Sequence, residues 1–538
     1  MFELFFLKSY LWPKKRQLSV ALIGLLSLFV ISIVVWLLLL FLSITEGIEK
    51  TWLTKLTSLN APIRITPTES YYNSYYYQID SLAGASNYSL KSIGEKLKSP
   101  NADPYDQEFD EELPHYWPIK DVPYLDPVKS AFSSFQSLQG KFPKLVAEDY
   151  EVAGALMRLE LIRPNSRNFQ SFLSQVSYVA SYPKTPSHLQ SLIQEPTIVD
   201  VKHLTYIASL YSESDLLQRI LANTISLDEG KFKVHFDAIP ELAPPWAYFV
   251  KGKLIVPENG VVLPKQFREN DVLIGDKGYF SYQAVTPMSS QEQKLPIQVV
   301  GFYDPGVIAV GARFILADPS LVQTMNANCQ TTALDPLLTN GIQVWFDDLK
   351  KTKLIEDELT KEFTKTGINE YWKITPYYEY DFAKELINQF RSDRYLFMLV
   401  GVLILIVACS NVISLLLLLV NDKKHEIGIL LSLGASKKSI AIIFGGIGIT
   451  LGFVSSLIGI CLAHLTLSNI SVFVNFLSSI EGQQAFNPLF YGDSLASSMS
   501  EKALLFVLIA SPILSLLAGL IPAIKACKLK PSAILRSE

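Results

Sequence analysis

Four stretches of this chain run without a single Asp, Glu, Lys or Arg: Leu18–Ile44, Tyr395–Val420, Ile440–Leu467 and Ala503–Ile524. Each exceeds the roughly 20 residues that a helix needs to cross a bilayer, and each backbone amide inside a bilayer must be bonded within its own segment. The chain is therefore expected to be an α-helical integral membrane protein with four transmembrane helices. The first run is far longer than the roughly 7–15 apolar residues of a signal peptide, and no small-residue cleavage pattern follows it. It reads as a retained span. A mean hydropathy of +0.25 with 18% charged residues is too oily for an ordinary soluble protein and too charged for a wholly buried one, so a folded aqueous part is expected as well.

Orientation follows from the basic residues, which stay on the cytoplasmic side. Lys8, Lys14, Lys15 and Arg16 precede the first span; Lys423, Lys424, Lys437 and Lys438 lie between the second and third; Lys525, Lys528, Lys530 and Arg536 follow the fourth. All three groups fall on one side. The expected layout is a cytoplasmic segment 1–17, a span 18–44, a large extracytoplasmic α+β domain 45–393, a span 394–420, a cytoplasmic loop 421–439, a span 440–467, a short periplasmic loop 468–502, a span 503–524 and a cytoplasmic tail 525–538. Both termini are then cytoplasmic.

The edges of the extracytoplasmic domain have helical spacing. Ile48, Trp52, Leu53, Leu56 and Leu59 follow the first span, and Phe382, Leu386, Ile387 and Phe390 precede the second. Spans continuing outward in this way form a stalk. The segment from Ser70 to Pro127 is rich in Tyr, Ser, Asn, Asp and Pro, which predicts an irregular region whose tyrosines pack locally. Between Leu254 and Leu316, β-rich runs such as Gly260–Leu263, Asp271–Gly275 and Ile297–Phe302 alternate with turn residues and predict strands. Helical patterns around Ser214–Ala222 and Lys350–Thr364 complete the α+β expectation.

Several chemistries are absent. No G-x-x-x-x-G-K-[ST] is present to cradle nucleotide phosphates, and no G-x-S-x-G nucleophile elbow appears. His425-Glu426 opens like a zinc-protease motif, but Ile429 stands where the second histidine would be. The four cysteines, Cys329, Cys409, Cys461 and Cys527, have neither disulfide nor metal-ligand spacing. A net charge of -4 gives no footprint for nucleic acid. No catalytic residue, metal site or cofactor of this chain is expected. Ser410, Asn411 and Ser414 on the second span, and Gly448 and Gly452 on the third, read as helix-packing positions rather than a translocation path.

Between the second and third spans lies Lys423-Lys424-His425-Glu426-Ile427-Gly428-Ile429-Leu430-Leu431-Ser432-Leu433-Gly434-Ala435-Ser436. Ile427, Leu430, Leu431 and Leu433 are expected to line one side of a short surface helix, with Glu426 in its first turn, where the helix dipole favours a carboxylate. Gly434-Ala435-Ser436 then ends it. Glu426-Ile427-Gly428-Ile429-Leu430 and Leu433-Gly434-Ala435-Ser436 resemble the coupling helix of the MacB/FtsX/LolC-type permeases, which docks into a separate ABC ATPase. Ile521-Pro522-Ala523-Ile524-Lys525-Ala526, leading to Pro531-Ser532-Ala533-Ile534-Leu535-Arg536, resembles the closing motif of that superfamily. The order of one span, a large domain and three spans agrees with it over the whole chain.

Within the superfamily, Gly260–Leu263, Ile274-Gly275-Asp276 and Val300-Gly301-Phe302-Tyr303 look like the external domain of the lipoprotein-releasing permeases LolC and LolE. Thr286-Pro287-Met288, with Pro296 at the far end, resembles the loop by which the LolC-like member holds a periplasmic lipoprotein carrier, although Ser289-Ser290-Gln291-Glu292-Gln293 replaces the Gly and basic residues usual there. The resemblance implies an inner-membrane permease that transmits force from a partner ABC ATPase dimer, where ATP and magnesium would bind, and that acts with a second permease copy or paralogue. It extracts lipoproteins from membrane lipids and passes them to the carrier. Alternatives are a MacB-type efflux permease and an FtsX-like regulator of a periplasmic cell-wall hydrolase.

Overall fold

A computed structural model of the chain describes residues 18–80, 82–84, 91–99, 103–112, 115, 125–162, 170–182, 198–200, 218, 221–226, 231–234, 248–250, 253–255, 259–268, 270–285, 289–303, 314–328, 340–481 and 499–527. These form two compact units, Met1–Trp52 with Glu385–Glu538, and Leu53–Lys384.

The first unit holds the apolar runs. Helices α1 (Leu18–Asn60), α8 (Asp381–Asp422), α10 (Lys437–Ser468) and α12 (Glu501–Cys527) contain them, and all four are long and apolar enough to cross a membrane. The first two extend well past their uncharged stretches, as the helical spacing of Trp52, Leu56 and Ile387 predicts. Their inward side chains make one core that includes Ile31, Leu39, Leu416 and Phe444, while large apolar residues such as Leu403, Val407, Ile442 and Leu505 face outward. Such inside and outside apolarity is what a helix bundle in lipid requires, and close approach in lipid depends on small residues. Gly448 of α10 lies so near the backbone of α12 that an added Cβ would stand 2.4 Å from the Ser515 carbonyl oxygen. The packing role read for Gly448 and Gly452 holds.

Ser410, Asn411 and Ser414 of α8 are exposed in the single chain. The two serine hydroxyls donate back to the carbonyls of Val407 and Ser410 on their own helix, which satisfies them without a partner span. At the ends of the spans remote from Lys437, Glu49 of α1 pairs with Arg394 of α8, Glu46 accepts from the Ser500 hydroxyl at the start of α12, and the rings of Trp52 and Phe390 lie 5.8 Å apart. Three helices are thus tied at one level.

The second unit is α+β. One sheet runs β10 (Lys277–Val285), β11 (Ser290–Tyr303), β9 (Gly260–Pro264), β12 (Phe314–Ala317), β3 (Gln170–Ser181), β2 (Val146–Ile162), β13 (Asn340–Trp345), β1 (Ile63–Pro67) and β14 (Trp372–Pro376). Because β10 also pairs with β2, through Lys277↔Glu160 to Ser281↔Leu156, the first six strands close into a ring. Each of the six strands therefore has a neighbour on both sides over part of its length. Met157, Leu159, Val179, Phe280, Ile297 and Val299 fill the core of the ring, with Val322 and Met325 of α6 (Pro319–Asn328); β4 (Ile198–Asp200), β5 (Thr224–Ser226) and β6 (Lys231–Val234) form a second small sheet, and β7 (Tyr248–Val250) and β8 (Lys253–Ile255) a third.

The other end of β2 carries β13, β1 and β14 in antiparallel register. Against them pack α5 (Pro127–Gln139) and α7 (Thr352–Thr366). Ile355, Leu359 and Phe363 recur every four residues along α7, placing one apolar stripe on the sheet, and the helix stops at Gly367 with φ 76°. Helix α5 starts on Asp126, whose carboxylate accepts from the amides of Val128 and Lys129.

The described residues of the Tyr-rich segment include three short helices, α2 (Glu69–Tyr72), α3 (Tyr75–Asp80) and α4 (Ile93–Lys98), and Tyr71, Tyr75 and Tyr76 are buried. Local packing is what these tyrosines do. Among them the Lys96 ammonium pairs with Asp80, with both side chains buried, and lies 4.1 Å from the centroid of the Tyr76 ring. Burial pulls the Lys96 pKa down against the opposing pull of Asp80. Of the helix expected near Ser214–Ala222, residues 214–217, 219 and 220 lie outside the described residues.

Candidate functional site

The segment between the second and third spans folds as two capped helices back to back. Helix α8 ends at Asp422, Lys423 leaves helical geometry, and α9 runs Lys424–Ser432. Glu426 stands in its first turn and accepts from the Lys423 ammonium at 2.5 Å, a placement that both the helix dipole and the ion pair favour. The C-terminus closes with the Ala435 amide bonded to the Leu430 carbonyl and the Gly434 amide to that of Leu431. That paired closure needs a left-handed residue, and Gly434 has φ 96°. No atom lies within 4 Å of where its Cβ would be, so the glycine is required by backbone conformation and not by crowding. Two residues later Ser436 caps α10, its hydroxyl accepting from the Ser439 amide at 3.0 Å. Gly434-Ala435-Ser436 therefore stops one helix and starts the next.

The burial of α9 corrects the expected apolar side. Ile427, 1% exposed, and Gly428 turn into the span core, and Leu430 and Leu431 are half-buried, but Leu433 is 79% exposed and Ile429 48%. Leu433, the C-cap residue of α9, stands six residues on from Ile427, which is roughly 240° round the helix, so helical spacing itself sets it beside Ile429 and off the buried side. The helix thus has two apolar faces. One roots it in the bundle. The other presents Ile429 and Leu433, four residues apart, beside exposed Glu426, Ser432 and Gly434.

The C-terminal motif reaches the same place. Ala523 and Ala526 of α12 belong to the core that includes Ile427 and Ile440, and the Cys527 thiol lies 3.2 Å from the Lys437 carbonyl. Lys528 to Glu538 lie outside the described residues. Two segments nearly a hundred residues apart in the chain thus share the core into which Ile427 of α9 is buried.

In the other unit, Thr286, Pro287 and Met288 lie outside the described residues. The loop expected through Pro296 is largely strand: β10 and β11 are paired from Val285↔Ser290 to Lys277↔Gln298. Ser281 and Ser290 hydroxyls bond Glu292 and Gln283 across the hairpin, at 2.5 and 3.0 Å. Pro296 is exposed, opposite Tyr279, and stands before β11 begins to pair with β9 at Gln298, on a stretch whose other edge pairs with no strand among the described residues and where a missing amide proton is tolerated. Residues Ser289 to Lys294 are exposed, whereas Tyr282 and Ala284 of the paired β10 stay in the core, so the polar exposed stretch belongs to β11. Among the described residues no group of three His, Cys, Asp or Glu side chains is placed to hold a metal ion.

Residues 398–531, which span the α8–α12 bundle and α9, match the FtsX-like permease C-terminal family. The chain is 27% identical over 286 residues to the lipoprotein-releasing system transmembrane protein LolE of Haemophilus influenzae, covering 52% of this chain and 65% of that protein. It is 34% identical over 154 residues to LolC of the same organism, covering 29% and 36%, and 29% identical over 147 residues to LolC of Neisseria meningitidis, covering 27% and 35%. Each match spans less than two thirds of the relative. The FtsX-like domain and these likenesses together support a place for the chain in the MacB/FtsX/LolC superfamily of ABC transporter permeases, on its LolC/LolE side.

Proposed function

We propose that this chain is the membrane subunit of an ATP-driven lipoprotein-releasing transporter, and that α9 is the contact through which a separate ABC ATPase drives it. The observation that carries the reading is the double-faced α9: a helix held by Ile427 in the bundle while Ile429 and Leu433 stay uncovered. A partner that seats on the exposed face moves the spans through the buried one. ATP and magnesium belong to that partner, and this chain contributes no catalytic group.

On this reading the unit of Leu53–Lys384 faces the periplasm, both termini are cytoplasmic, and a second permease copy or paralogue completes the complex. The substrate is a lipoprotein whose acyl chains must leave the bilayer at about 0.8 kcal/mol per methylene. Such a cost calls for nucleotide energy but not for a polar channel, and the spans agree: the serines of α8 satisfy themselves on their own helix. The exposed polar stretch of β11, Ser289 to Lys294, then meets the soluble lipoprotein carrier.

The test is site-specific photocrosslinking in cells from two positions, Leu433 and Gln291. Capture of an ABC ATPase from Leu433 and of a lipoprotein carrier from Gln291 is the expected result. An ATPase from the first with a cell-wall hydrolase or an outer-membrane duct protein from the second would replace lipoprotein release by FtsX-like regulation or MacB-type efflux. Failure to capture an ATPase from Leu433 would remove the coupling role of α9.

A further inference from the structure

Helix α11 (Ile470–Glu481) occupies part of the stretch that the sequence presents as a plain loop. It follows α10 after one non-helical residue, Asn469. Its inner positions Ile470, Phe473 and Val474 are half-buried, yet Val472, Phe476 and Ile480, one turn apart, are 66%, 59% and 69% exposed. The remaining exposed stripe is Ser471, Asn475 and Ser479, also one turn apart.

This division fits neither water nor the bilayer interior. In water three large apolar side chains would stand uncovered, and deep in hydrocarbon the Asn475 carboxamide would go without bonds. A boundary between the two media suits both stripes. Three observations set α11 at such a boundary. The helix follows directly on α10, whose last turns still carry exposed Leu462 and Leu465 and which is long and apolar enough to cross a membrane. Trp36 of α1 packs edge-on against Phe473, with ring centroids 6.3 Å apart, and donates its indole N–H to the Thr466 hydroxyl at 3.0 Å, the half-apolar, half-bonded state that tryptophan adopts at membrane interfaces. Counting along α10, Thr466 stands roughly 40 Å from Lys438 at helical rise, beyond the roughly 30 Å hydrocarbon core.

We propose that α11 lies flat on the leaflet opposite Lys437 and Lys438, with Val472, Phe476 and Ile480 seated among the acyl chains and Ser471, Asn475 and Ser479 facing water. No Lys, Arg, Asp or Glu occurs from Ile470 to Ile480, so the lipid surface it takes is recognised by apolar insertion and not by headgroup charge.

Single cysteines at 475, 476, 479 and 480, introduced into the full chain with its four native cysteines replaced and labelled with an environment-sensitive fluorophore, read this in phosphatidylcholine nanodiscs. A fluorescent amino acid incorporated at the same four positions reads it with the native cysteines in place. Blue-shifted emission at 476 and 480, quenched by doxyl-labelled acyl chains and spared by iodide, with the reverse at 475 and 479, is the expected result. Equal iodide quenching at all four positions would overturn the proposal. Protection of 476 and 480 from both quenchers, the mark of a protein covering the stripe, would overturn it too. Adding phosphatidylglycerol should leave the pattern unchanged, and a pattern that appears only with the anionic lipid would refute recognition by apolar insertion.

Discussion

Truncating the two apolar faces of α9 separately should split stability from coupling. Ile427 is fully enclosed in the span core, so Ile427→Ala removes buried carbon and leaves a cavity, at a cost of about 2–5 kcal/mol to the permease itself. Leu433 is 79% exposed, so Leu433→Ala takes almost nothing from the isolated chain. If Leu433 is covered on docking, its loss forfeits about 1.5–3 kcal/mol of burial, which is a roughly 10- to 150-fold weaker association. Two assays on the same purified proteins separate the effects: thermal unfolding of the permease in nanodiscs, and titration of the ATPase subunit followed by its permease-stimulated ATP hydrolysis. Ile427→Ala should lower the unfolding temperature, whereas Leu433→Ala should leave it within error and shift the titration midpoint. The reasoning fails if Leu433→Ala unfolds the permease as readily as Ile427→Ala does, or if it leaves the titration unchanged.

Gly434→Val forces a β-branched residue to φ 96° at about 1–3 kcal/mol, and should fray α9 by hydrogen exchange while Gly434→Asn frays it less; equal exchange in both would refute the backbone account. Gly448→Val places carbon atoms against the Ser515 carbonyl and should cost about 1–3 kcal/mol by overpacking, read as a lower unfolding temperature that Ile442→Val, on the outward face, does not produce. Removing one partner of the buried pair, by Asp80→Asn or Lys96→Met, should cost about 3–5 kcal/mol, and the double variant less than the sum of the two; additive losses in a denaturant series would show that the charges do not interact. Burial raises the Asp126 carboxyl above its ordinary value, outweighing the Lys129 and Val128 amides that it accepts from. A folded-state pKa above the unfolded one gives a contribution that is complete below the unfolded pKa and lost as pH rises through the raised value. Asp126→Asn, which keeps a capping oxygen, should therefore gain on the parent protein from acid toward neutral pH in unfolding experiments, and a pH-independent difference would contradict this.

Much of the architecture was readable because its cause is local. Four charge-free runs mark the spans, and the i, i+4 recurrence of Ile355, Leu359 and Phe363 marks α7. At α9 the helix and its Gly434 stop are legible, but grouping Leu433 with Ile427 by apolarity points it inward, whereas six residues at helical spacing set it beside Ile429. The stretch around Ser290 to Lys294 read as loop since Thr286-Pro287 and Pro296 look like punctuation, whereas pairing with β10 decides its conformation. For α11 the same blindness has another source: eleven residues of mixed Ser, Asn and apolar side chains, Ile470 to Ile480, are too short for a span and too apolar for a surface helix in water. Ring closure through β10 and β2 leaves no local mark at all, because nothing in either strand names its partner.

That closure also constrains how the chain acquires its shape. Arg158 and Tyr279, opposite each other where β10 joins β2, are 121 residues apart in the chain, and the entropy of bringing such distant segments together is spent before their contacts return anything. The β2–β3 hairpin can assemble early from neighbouring residues, but the circuit waits for the last of its six strands. Until then two unpaired strand flanks stand open to other chains, so the slow step in maturation and the moment of greatest aggregation risk coincide at this seam.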